Sequence, residues 1–150
     1  MRTLTFELFP AMLDDLGLLP TLEHYARRLA DEGLHVTVRE TGPRQLLSRE
    51  RASFTFRAAR ELLHNVVKHA RAGEAIVSLA WRRDDLRLAV VDDGVGLGER
   101  DPWHSGGLGL FDIRERVKHL GGQLHLESTT AGTQVIIDVP LETIDSGDAA

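Results

Sequence analysis

Hydrophobic and polar positions along this chain change period several times, and each change marks an element. Leu4 and Leu8 stand at helical spacing before Pro10, after which Ala11-Met12-Leu13-Asp14-Asp15-Leu16-Gly17 brings in acids and a glycine; this predicts the tail end of a helix and then a turn. From Leu19 to Leu34 apolar residues recur at Leu22, Tyr25, Ala26, Leu29 and Ala30, one face of a helix that closes at Gly33. Leu34 to Arg39 alternates like a strand. The stretch from Arg49 to Ala70 has no glycine or proline and carries Phe54, Ala58, Leu62, Val66 and Ala70 on one stripe, predicting the longest helix. Ala75–Trp81 and Leu86–Val91 read as a hairpin, Leu110–Leu120 as a helix, and Gln123–Ser128 with Thr133–Pro140 as a second hairpin. Strands in adjacent pairs predict an α/β two-layer sandwich: a mixed, mostly antiparallel sheet with helices on one face.

Composition narrows the function. The 150 residues are 42% hydrophobic and 27% charged, the balance of one ordinary globular domain. A formal charge of -5 argues against nucleic acid as the partner, and no apolar run approaches a membrane span. The absence of cysteine excludes a disulfide framework, a thiolate zinc site and a cysteine nucleophile, and suits a reducing compartment.

Three places could carry chemistry. On the long helix Glu61, Asn65, Lys68 and His69 share one face: an amide oxygen suits a magnesium ion and an ammonium suits phosphate, although the same face also fits a solvated stripe with a Glu–Lys pairing. The strand Ala89-Val90-Val91 ends in Asp92-Asp93-Gly94-Val95-Gly96, where an acid could accept from an exocyclic amine, or where Asp-Gly could simply turn. Gly106-Gly107-Leu108-Gly109-Leu110 leads into a helix and offers backbone amides to an anion.

In this order the three segments resemble the ATP-binding catalytic domain of sensor histidine kinases, within the gyrase, chaperone and histidine-kinase ATPase superfamily. Glu61 to Ala70 is similar to its N box, Asp92 to Gly96 to its G1 box, and Gly107 to Leu110 to its G2 box, with Gly132-Thr133 matching before the last strand. Phe111 to Val117, and Leu4 to Pro10 with Asp15 to Leu18, resemble the branch that pairs with nitrate-response-type regulators. The resemblance covers Arg2 to Leu141. It implies the Bergerat ATP-binding fold, with ATP and Mg2+ as ligands: Asp92 on the adenine amine, Gly94 and Gly96 near base and phosphates, Asn65 on magnesium, Lys68 and His69 toward phosphate or ribose, Gly107, Gly109 and Leu110 toward the phosphate chain, Thr133 near the base. Glu61 would organise the site, and residues 97–106 would form a lid over the nucleotide.

It further implies a protein-histidine kinase catalytic domain whose partners are a histidine-bearing dimerisation domain and a response regulator, cytoplasmic whether or not the full-length protein is anchored elsewhere. No phosphoacceptor histidine motif is present, so the expectation is a fragment: residues 1–18 the end of a dimerisation helix and junction, 19–141 the catalytic domain, 142–150 a frayed tail, monomeric and inactive in autophosphorylation alone. Leu108 and Asp112 depart from what relatives often carry there, which puts the lid hinge in question. The competing readings are a stand-alone anti-sigma-type serine kinase and a nucleotide-dependent interaction module of the same fold.

Overall fold

The computed structural model describes residues 2–104 and 109–142, with side chains from residue 9 onward. Helices α1 (Arg2–Leu16) and α2 (Leu18–Ala30) lead into β1 (His35–Thr41), followed by α3 (Arg49–Asn65), which continues through a π-helical turn, Val66–Ala70. Strands β2 (Glu74–Trp81) and β3 (Asp85–Asp92), helix α4 (Leu110–His119), and strands β4 (Gln123–Thr129) and β5 (Gly132–Pro140) complete it. The sheet order is β1-β2-β3-β5-β4. Strand β1 lies parallel to β2, as the long crossover through α3 requires, and the remaining pairs are antiparallel. This is the mixed two-layer sandwich that the sequence pattern predicts.

Alternation along the strands decides which face the helices cover. Val77 and Leu79 of β2, Leu86, Leu88 and Val90 of β3, and Val135, Ile137 and Val139 of β5 all point inward and are buried. They meet Leu22 and Leu29 of α2 and Ala58, Ala59, Leu62 and Leu63 of α3 in one core. All five residues of the stripe read from the sequence, Phe54, Ala58, Leu62, Val66 and Ala70, are buried. On the opposite face of the sheet Arg87 donates twice to Asp138, at 2.7 and 3.0 Å, and so pairs the one carboxylate that β5 buries.

The N-terminal segment differs from its expectation. A helix that ends before Pro10 and a turn over residues 11–17 are predicted, yet α1 runs unbroken through Pro10 to Leu16, and the chain turns only at Gly17. Proline inside a helix removes a hydrogen bond and costs about 3 kcal/mol, and tertiary packing offsets that cost. Phe9 is 3% exposed, with its ring centroid 5.3 Å from Phe56, 5.7 Å from Tyr25 and 5.9 Å from His24. Met12 and Leu13 pack on the same core. Among the described residues no helix is long and apolar enough to cross a membrane.

Phe9 thus joins α1 to both α2 and α3. Replacing Phe9 with Ala should lower unfolding free energy by about 3 kcal/mol or more, measured by urea titration.

Candidate functional site

Between the C-terminal half of α3 and the inward face of β3, β5 and β4 the two layers part, leaving an open hollow of about 470 Å³. Its walls are mostly apolar: Leu62, Val66 and Ala70 from the helix side, Val90, Leu126 and Val135 from the sheet, with Leu97 and Leu110 at the loops. Asn65, His69, Asp92, Gly96 and Thr133 line it as well.

Local geometry places each of these. Leu86, Leu88, Val90 and Asp92 are successive inward positions of β3, so the two-residue period that builds the core also turns Asp92 into the hollow. Thr133 is the inward position before Val135 on β5. Asn65 and His69 are four residues apart, which puts both on the helix face beside Leu62 and Val66.

Asp92 is 8% exposed, and its Oδ1 accepts from the Gly94 amide at 2.8 Å. Burial raises its carboxyl above the ordinary aspartate value, against the Gly94 and Thr133 amides, which favour the charged form. Its neighbour Asp93 points the other way, accepts from the amides of Gly73 and Glu74 at 3.0 Å each, and is held below the usual value chiefly by the Glu74 amide. Two adjacent aspartates are therefore split by the strand's alternation: one binds the protein's own backbone, the other faces the hollow.

The Asp-Gly segment is tied down on both sides. The Val95 amide donates to the Ala70 carbonyl at 2.8 Å, and the Leu97 amide to Ser128 Oγ at 2.7 Å. Ser128 Oγ lies 3.3 Å from Thr133 Oγ1, so the hydroxyl chain reaches the hollow's edge. A Cβ on Gly94 would overlap the Ala70 carbonyl oxygen, and one on Gly96, where φ is +79°, would overlap that of Thr129.

Some predicted site residues stand elsewhere. Gly94 packs on Ala70, away from the hollow's lining. Lys68 is exposed and does not line the hollow, although its charge acts there: burial first, then Arg100, Lys68 and His64, lower the His69 imidazole below its ordinary value. Glu61 is likewise outside the lining; its carboxyl group sits where a Cβ on Gly109 would come within 3.2 Å. Gly109 takes φ +75° and opens α4 with no side-chain cap, and Leu110 follows it into the hollow's wall. Gly107, with Gly106 and Leu108, lies outside the described residues.

The sequence reading passes over two contributors. Ser128 was legible as an inward position on β4, two residues beyond Leu126. Arg100 carries no periodic signal, and only the folded loop brings its charge toward His69.

The site is thus a mostly apolar hollow between the two layers of a sandwich, with one buried carboxyl on the sheet side and one amide on the helix side. The chain belongs to the histidine kinase-, DNA gyrase B-, and HSP90-like ATPase family, whose model matches residues 50–143. The oxygen sensor histidine kinase NreB of Staphylococcus carnosus is 32% identical over 143 residues, 94% of this chain and 41% of that protein. The sensor histidine kinase NarS of Mycobacterium tuberculosis is 35% identical over 152 residues, 95% of this chain and 34% of that protein. The blue-light activated histidine kinase EL346 of Erythrobacter litoralis superposes with a TM-score of 0.68 at 27% identity, over 86% of this chain and 43% of that one. This chain thus spans about two fifths or less of the curated relatives named here.

The raised Asp92 has a consequence for folding. An aspartate whose folded pKa is above its unfolded one contributes stability below the unfolded value and loses it as pH rises through the folded value. Asp92→Asn should therefore match or exceed the native thermal midpoint at pH 7, with the difference shrinking as pH falls through the carboxyl range; thermal melts from pH 7 to pH 4 measure this.

Proposed function

We propose that this chain binds Mg-ATP in the hollow and transfers the γ-phosphoryl group to a histidine on a separate dimerisation domain, from which it passes to a response-regulator aspartate. The single observation supporting this reading is Asp92: a buried acceptor lining a mostly apolar hollow that Asn65 and His69 line from the helix side. An apolar slot with one acceptor suits adenine, whose flat faces need dry walls and whose exocyclic amine needs a carboxylate.

The rest of the nucleotide then runs toward α3 and α4. Asn65 offers an oxygen to the cation. Among the described residues no group of three or more acidic, histidine or cysteine side chains could hold a metal. The donor set fits magnesium, which keeps waters and shares phosphate oxygens instead of filling a protein cage. When bound, the ion neutralises charge on the phosphates. Lys68 and Arg100 supply positive charge around the mouth and His69, held toward its neutral form, stands on the phosphate or ribose side, while the uncapped amides at Gly109 and Leu110 offer hydrogen bonds to the phosphate chain. Thr133, linked to Ser128, is placed for the base, and Glu61 organises the start of α4.

Such a site performs phosphoryl transfer by positioning. An imidazole nitrogen of the acceptor attacks the γ-phosphorus, the bond to the bridging oxygen breaks, and ADP leaves with the electron pair. No covalent residue of this chain is needed. The acceptor histidine belongs to the dimerisation domain, for which residues 1–18 form the junction, and the chain alone is a monomer without autophosphorylation. The regulator partner and the cytoplasmic location follow from this reading together with the sensor-kinase relatives.

Asp92→Asn should weaken ATP and ADP binding alike, by roughly ten- to a hundredfold, the loss of one hydrogen bond to a charged acceptor. Asn65→Ala should instead abolish the magnesium dependence of ATP binding. Calorimetry reads both, and labelled ATP mixed with a separately produced histidine-bearing dimerisation domain should yield acid-labile phosphohistidine. ATP binding with no transfer to such an acceptor favours the interaction-module alternative, and equal affinity of native protein and Asp92→Asn refutes the base assignment.

A further inference from the structure

We propose that Arg114 is a positioning residue: by stacking on Trp103 it holds the loop 97–104 in place beside the hollow. The inference rests on the reading of the hollow as a nucleotide site and deepens it. The Arg114 guanidinium carbon lies 3.8 Å from the Trp103 ring centroid and 5.9 Å from that of Phe111. Among the described residues, Arg114 Nε is the buried side-chain polar atom that has no hydrogen-bond partner. A buried donor left unpartnered is costly, and the surrounding aromatic faces are what make the arrangement tolerable. A planar, weakly hydrated guanidinium can stack in this way, and a lysine ammonium cannot.

The loop it holds has a defined construction. One end is anchored where the Leu97 amide donates to Ser128 Oγ. The Arg100 amide then donates to the Leu97 carbonyl at 3.1 Å, and the Trp103 amide to Asp101 Oδ1 at 2.9 Å, giving two linked turns that finish on Trp103. Trp103 packs against the core as well as against Arg114. Leu97, which lines the base end of the hollow, has its own tether at Ser128. Arg100, tied by its amide to Leu97 on one side, has the Trp103 end as its second support near His69. Loss of the stack should therefore be felt by phosphate and not by the base.

The test compares the full chain with R114M, which keeps length and apolar contact, R114K, which keeps charge, and W103F. Trp103 fluorescence is isolated by subtracting the W103F spectrum. In R114M, acrylamide quenching of Trp103 should rise, and magnesium-dependent ATP affinity should fall about threefold to tenfold while adenosine affinity stays at the native level. R114K loses the planar stack but keeps a cation over the ring, so it should show both effects in weaker form, and it supplies the same readouts if R114M does not fold. Native quenching in both Arg114 variants overturns the proposal, and so does an unchanged ratio of ATP to adenosine affinity. If the native chain itself binds neither ligand, the nucleotide reading has failed and takes this proposal with it, a result distinguishable because it appears before any substitution.

Discussion

The site depends on keeping one carboxyl dry at the end of a strand. Asp92 is inward because Leu86, Leu88 and Val90 are inward, and the hollow it faces is lined across from it by Val66 and Ala70 of the π-helical turn that ends α3. Three backbones must then meet in a small volume. Gly94 lies against the Ala70 carbonyl, Gly96 against that of Thr129, and Gly132, at φ +142°, against that of Asp92 itself. Any side chain at these positions would push the helix, the loop or the hairpin away and admit water to the carboxyl. These glycines are accounted for by protein packing before any ligand enters.

Much of this was legible in the sequence. The helical stripe of α3 and the two hairpins are strong local periodicities, and burial follows them residue by residue. Asp92 and Asn65 could be singled out because a strand-end acid and a helix-borne amide obey fixed side-chain geometry. What escaped reading depends on distant partners. Pro10 signals a break that Phe9 overrides by packing against Phe56 and Tyr25. Gly94 looks like a ligand-approach glycine, and only the return of Ala70 to its side shows that it also makes a close packing contact. Arg100 and Trp103 sit in a stretch without period, so their roles come from the turns at Leu97 and Asp101 and from α4.

Charge is distributed against the average. The chain carries a formal -5, yet after burial, the largest cause, the charges of Arg100, Lys68 and His64 also disfavour the imidazolium of His69 beside the hollow. A local positive field on an acidic protein is a means of drawing in a polyanion without general attraction to nucleic acid. The acid within, Asp92, lies apart from those cations, and burial raises its carboxyl above the ordinary aspartate value against the Gly94 and Thr133 amides. The sign of charge therefore changes along the length of the hollow, matching a ligand with a neutral donor at one end and negative charge at the other.

The two ends also differ in how they are built. The Asp92 end is assembled from buried side chains of α3, β3 and β5 and from backbone contacts through glycine; it is part of the core and has the core's rigidity. The opposite end is made of exposed side chains, an uncapped helix start and a loop fixed by one amide at Leu97 and one stacked ring at Trp103. The Asp92 end is thus set by the fold alone, whereas the opposite end can be altered by shifting a few surface contacts. Under the proposed function, a domain that holds a nucleotide firmly and still releases its terminal phosphoryl group to another domain needs that asymmetry.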